Sequence, residues 1–216
     1  MAFSLYLSFT IVMIALISSC AIYFQPSSNF YLKIFPVFML ITAISGGLLN
    51  YLALKGINNI LPSNIYSVFA LCFYFFILHD IIQNKKMKRS ILWVVFIYPI
   101  VAFTNIFYIQ GMAVFHTSTF CLGSLLVVSF CIYYFFELFQ RPVALNLLRE
   151  PAFWICSGLL FYFSCSFPLF GFLNSLHRSK DMIYAHLGTL LNLLDSLLYS
   201  SFTVAFLCRF KIKKFT

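Results

Sequence analysis

Charge is scarce in this sequence, and acidic charge is scarcest. Its 216 residues hold five Asp or Glu against fourteen Lys or Arg, and charged residues are 9% of the chain where apolar ones are 62%. Soluble domains carry about 25% charged residues, so that class is excluded. No basic segment precedes the first apolar run, "MAFSLYLSFTIVMIALISSC", which therefore reads as a retained span and not as a cleaved signal peptide. There is no CxxC and no Cys/His spacing suited to a metal. The seven cysteines (Cys20, Cys72, Cys121, Cys131, Cys156, Cys165 and Cys208) fall inside or at the edges of apolar runs, so they read as small packing residues with no structural disulfide.

What the chain has in quantity is hydrocarbon. Its mean hydropathy is +0.97, and apolar runs of roughly twenty residues are long enough to cross a bilayer as helices. Seven such runs occur, at roughly 3–23, 32–54, 63–83, 90–109, 115–138, 152–174 and 183–208, and they take up about three quarters of the sequence. The expected fold is a single all-α domain over residues 1–216, a seven-transmembrane-helix bundle.

The basic residues orient it. The segments after spans one, three, five and seven hold Lys33; Lys85, Lys86, Lys88 and Arg89; Arg141 and Arg149; and Arg209, Lys211, Lys213 and Lys214. The other side holds only Lys55, Arg178 and Lys180. The positive-inside rule places the N-terminus outside and the C-terminus in the cytoplasm of a cell's inner membrane. The net charge of +9 belongs to this arrangement and not to nucleic acid, because "KKMKRS" and "RFKIKKFT" abut span ends, where basic residues meet anionic headgroups.

Local signals fill in the helices. Glu150 and Pro151 suit a helix start, with proline in the first turn and a carboxylate at the positive end of the dipole. Thr117, Cys121, Ser124, Val128 and Cys131 in span five, and Ser157, Phe161, Ser164, Pro168 and Gly171 in span six, recur at helical spacing and read as seams of close packing. Pro168 denies a donor to the Ser164 carbonyl and, with Pro99, predicts a kinked helix. Glu137 and Arg141 have the spacing of a surface ion pair.

The informative stretch is "LLNLLDSLLYSS", residues 190–201. Thr189, Asn192, Ser196, Tyr199, Ser200 and Thr203 share one broad helical face bordered by Asp195, with Leu187, Leu190, Leu194, Leu197, Leu198 and Phe202 opposite. An aspartate at the centre of a span costs about 2.5–3.5 kcal/mol, so the polar face is expected to point into the bundle. No Lys or Arg lies at that depth, which leaves Asn50, Asn105 or hydroxyl groups as partners. A helix clamp and a ligand, ion or proton site are both open readings of Asp195. His116 and His186, with Asn50, Asn64, Asn105, Gln110 and Thr117, could line a cavity open to the outside, although a hydrogen-bonded structural histidine is the commoner outcome.

The stretches "EPAFWICSGLLFYFSCSFPLF" and "LLNLLDSLLYSSFTVAFLC" resemble small bacterial seven-span proteins akin to the sensory membrane regions associated with two-component histidine kinases. The resemblance implies a non-enzymatic sensor or receptor that signals through a cytoplasmic protein partner, with no cofactor. The rival class is a transporter for a small solute or ion. A third class, an intramembrane metal-dependent hydrolase, needs several histidines and an aspartate at one membrane face. Here His79 and Asp80 are expected inside, and His116, His177 and His186 outside. A retinal protein would need a lysine in the last span, and residues 182–208 contain none.

Overall fold

In a computed structural model the structure describes residues 2–24, 29–140, 146–176 and 181–208, with side chains from 7–23, 29–140, 146–171 and 187–208. All regular structure among the described residues is helical: α1 (Ala2–Cys20), α2 (Phe30–Leu54), α3 (Ile60–Ile81), α4 (Lys85–Thr104), α5 (Thr117–Phe139), α6 (Pro151–Leu176) and α7 (Asp181–Leu207). Six of these, α2 to α7, are long and apolar enough to cross a bilayer, and α1 contributes a shorter apolar helix. The architecture is that of a multi-pass helical membrane bundle.

Each boundary has a local cause. Helix α2 ends at Gly56, whose φ of 67° only glycine adopts without strain. There the Ile57 N–H donates to the Leu52 carbonyl at 3.0 Å and the Gly56 N–H to Ala53 at 3.1 Å, the paired bonds of a Schellman stop. The Asn84 side chain accepts from the Lys86 N–H at 2.9 Å and starts α4. Helix α4 runs into one π turn, Asn105–Ile109. Helix α6 begins at Pro151, as the sequence predicts.

Helices α1, α2, α3, α5, α6 and α7 follow one another around a ring, each packed on the next, and α7 closes it against α1. Helix α4 lies outside the ring, chiefly against α3. The outer surface is largely apolar, with Ile17, Ile44, Phe96, Ile100 and Phe139 all exposed. Lipid, not water, is the solvent that suits such a surface.

The ring interior differs between its two ends. Towards the end where α1 finishes and α2 starts, aromatic side chains fill it. Phe35 sits 5.3 Å from Phe73, 5.3 Å from Phe202 and 5.2 Å from Phe206 between ring centroids, and Phe38 stacks on Phe73 at 3.9 Å. Each such pair adds about 0.5–1.5 kcal/mol beyond simple burial. This cluster joins α2, α3 and α7.

Six of the seven described basic residues lie at that same end, and three of the five acidic residues are there with them. Asp80 accepts the Tyr31 N–H at 3.3 Å, at the start of α2. Glu137 accepts the Gln83 N–H through both oxygens, at 3.2 and 3.1 Å. The expected Glu137–Arg141 pair is therefore revised in part: Glu137 serves a helix terminus, and Arg141 lies outside the described residues. Asp80 and Glu150 also line a small polar cavity of about 330 Å³ at this end.

Candidate functional site

At the opposite end, where α1 begins, the ring opens around a cavity of about 400 Å³. That volume lies within the roughly 300–1,000 Å³ range of small-molecule sites. Helix α1 contributes Ser8 and Phe9, α2 Thr42 and Asn50, α3 Ser63, Tyr66, Ser67 and Tyr74, α6 Tyr162 and Phe163, and α7 Asn192, Asp195 and Tyr199. Phe115 from the α4–α5 loop, with Phe120 and Phe170, completes the wall.

Asp195 stands half-buried on this wall. It lies eight residues into the apolar window that begins at Leu187, which is about 12 Å along the helix axis. Its carboxylate accepts a hydrogen bond from the Tyr162 hydroxyl on α6. No Lys, Arg or His is among the described residues lining the cavity. Behind it the tyrosines form a chain: Tyr199 pairs with Tyr74 and Tyr66, Tyr66 donates to Thr42 Oγ1 at 3.0 Å, and Thr42 donates to the Phe38 carbonyl at 2.9 Å. This chain rests on the aromatic cluster below. The Asn50 and Asn192 amides reach the cavity without a hydrogen bond to the described protein.

A second polar network adjoins the first. His116 is fully buried, with Nε2 on the Ser67 hydroxyl at 2.5 Å and Nδ1 on the Thr119 hydroxyl at 2.8 Å. Asn105 donates to Gln110 Oε1 at 2.6 Å and to Thr119 Oγ1 at 3.2 Å, and Gln110 donates to Thr117 Oγ1 at 3.2 Å. Asn64 accepts the His116 N–H at 3.2 Å and donates to the Val114 carbonyl at 3.0 Å. Together these bonds tie the loop after α4 to α3 and α5. Ser67 belongs to both groups, since it lines the cavity and holds His116.

The expected site residues thus divide. Asp195, Asn192 and Tyr199 come together on the cavity wall with Asn50. His116 and Asn105 belong to the loop network and do not line the cavity. Ser196 is buried but donates to the Asn192 carbonyl of its own helix at 2.7 Å, and Thr189, half-buried, is not among the lining residues. The side chain of His186 lies outside the described residues. Tyr66, Tyr74 and Tyr162 were not anticipated, because a lone tyrosine in an apolar run carries no periodic signal.

Two expected packing faces need correction. On α7, Leu198 and Phe202 face inward with Tyr199, while Ser200 faces out and donates to the Ser196 carbonyl at 2.7 Å. Thr203 likewise bonds back to Tyr199 at 2.9 Å. Hydroxyls satisfied within their own helix need no neighbour, so the polar stripe misjudged the rotation by part of a turn. On α6, Phe161, Ser164, Pro168 and Gly171 are exposed, and the buried face is Ile155, Cys156, Leu159, Phe163 and Ser166. The close approach to α7 is made by Gly158 instead, where an added methyl group would overlap the Ser201 hydroxyl.

No family model matches the chain, and neither a curated protein nor a solved structure does. No disulfide joins any of the seven cysteines. Among the described residues no three His, Cys, Asp or Glu side chains gather as metal ligands would. The cavity offers a carboxylate with one phenolic donor, two amides without a hydrogen-bond partner among the described residues, and an aromatic wall.

Proposed function

We propose that the chain is a seven-span, non-enzymatic receptor of the inner membrane. The N-terminus and cavity face outward, and the basic end faces a cytoplasmic signalling partner. The orientation rests on six of the seven described basic residues, Lys33, Lys85, Lys86, Lys88, Arg89 and Arg149, lying at one end of the bundle. Helix α1 counts as a span in this reading because it packs in the ring between α2 and α7, which a merely peripheral segment would not do.

One observation favours a receptor over a transporter: the cavity has a floor. Directly beneath Tyr74 and Tyr199 the Phe35–Phe38–Phe73–Phe202–Phe206 cluster closes the ring. A solute that enters from outside meets packed aromatic rings, while α7 carries both the Asp195 wall and the Phe202 and Phe206 contacts. Binding at Asp195 and repacking at Phe35 are therefore linked through one rigid helix, the kind of two-state element that transmits a signal.

Proteoliposomes containing only this chain test the choice. Under an imposed proton or sodium gradient, no uptake of radiolabelled amines, amino acids or sugars above empty liposomes is expected. Gradient-dependent uptake abolished by Asp195→Asn would make the protein a transporter.

A further inference from the structure

We propose that the cavity selects a small organic cation, a protonated or quaternary amine bearing an apolar group. The inference rests on the receptor reading of this cavity and adds the chemical class of its ligand.

The argument begins with charge. Asp195 lines the cavity, no Lys, Arg or His does among the described residues, and its partner among them is the Tyr162 hydroxyl. A carboxylate in an apolar span is costly without a counter-charge, and the described residues supply none at that wall. A ligand that brings the cation removes that cost, whereas an anion adds to it. The wall chemistry agrees. Four tyrosines surround the carboxylate, Tyr66, Tyr74, Tyr162 and Tyr199, and phenylalanines form much of the remaining surface. Aromatic rings attract cations through their quadrupole, most strongly when water is excluded, and they bury apolar groups equally well. An inorganic ion would waste that surface. Asn50 and Asn192 can take up the N–H or hydroxyl groups of the ligand.

Size fits the same class. A cavity of about 400 Å³ is far larger than a sodium ion or proton requires and holds a compact amine with one ring or a short chain. Ser8, Gly46 and Ser63 of α1, α2 and α3 add small residues to the lining. Among the described residues Lys55 alone is basic at the cavity end of the bundle, so little positive charge there opposes the approach of a cation.

The test compares charge at constant shape. The full chain in nanodiscs is titrated with phenethylammonium, with neutral 2-phenylethanol and with anionic phenylacetate, read by thermal shift and by equilibrium dialysis. Phenethylammonium is expected to bind at least tenfold more tightly than 2-phenylethanol, with phenylacetate weakest. Asp195→Asn should erase the difference between cation and alcohol, and Tyr162→Phe should keep it. Because the wild-type series decides the matter by itself, a variant that failed to fold would leave the proposal exposed to refutation. Equal binding of cation and alcohol overturns the cation class while leaving a receptor cavity in place. Binding of none of the three also overturns it. Gradient-driven uptake in the liposome experiment would instead overturn the receptor reading and leave the ligand class standing.

Discussion

At Gly158 the Cα of α6 faces Ser201 of α7, and a Cβ built there would meet the Ser201 Cβ at 3.0 Å as well as its hydroxyl. Membrane helices hold together through van der Waals contact, so the approach depends on having no side chain at this point. Gly158→Val is expected to destabilise the bundle by about 1–3 kcal/mol, seen as a lower Tm in detergent. Ser201→Gly in the same chain should recover part of that loss, the coupling that marks two residues in contact. Gly158→Val with an unchanged Tm would show that the helices do not meet here. His116 makes a similar residue-scale case. It is buried with a hydroxyl on each ring nitrogen, and His116→Ala leaves Ser67 and Thr119 short of partners. The cost expected is about 1–3 kcal/mol, with faster proteolysis in the loop before α5 as a second readout. Because Ser67 lines the cavity, the same variant should also weaken ligand binding, by less than Asp195→Asn does.

At the scale of elements, α7 shows which parts of the structure were legible beforehand. The existence of seven helices, the start of α6 at Pro151 and the placing of Asp195 beside Asn192 and Tyr199 all follow from hydropathy and helical spacing. The rotation of α7 does not, because Ser196, Ser200 and Thr203 are satisfied by the carbonyls of Asn192, Ser196 and Tyr199 and so place no demand on a neighbour. In hydrocarbon, leucine is equally at home against lipid and against another helix, which is why Leu197 is exposed and Leu198 buried with no difference in sequence signal. The α6 seam failed for the same reason: small residues can face lipid as readily as a partner. The tyrosine cluster escaped notice because it is assembled from three different helices. The corrected rotation makes a direct forecast. Ser200→Leu should change Tm little, since the side chain faces outward, whereas Phe202→Ala opens the floor cluster and should cost about 3–5 kcal/mol. The reverse order, with Ser200→Leu the more damaging, would restore the rotation that the polar stripe suggested.

At the scale of the whole molecule, charge and packing divide the bundle into two ends with different work. The basic end is closed by aromatic rings, and its carboxylates are engaged with backbone N–H groups at helix termini, Asp80 on Tyr31 and Glu137 on Gln83. The other end is open, and Asp195 looks into space that a ligand can fill. The claim that unites these features is a cavity at Asp195 reached from outside and sealed from within. It is tested most directly by Asn50→Cys in a chain whose seven cysteines are replaced, reacted with a membrane-impermeant maleimide in intact cells and in inverted vesicles. Asn50 lies on the cavity wall, one turn before the end of α2. Modification in intact cells and its absence in inverted vesicles is the expected result, and labelling from the inverted side, or from neither, would contradict it.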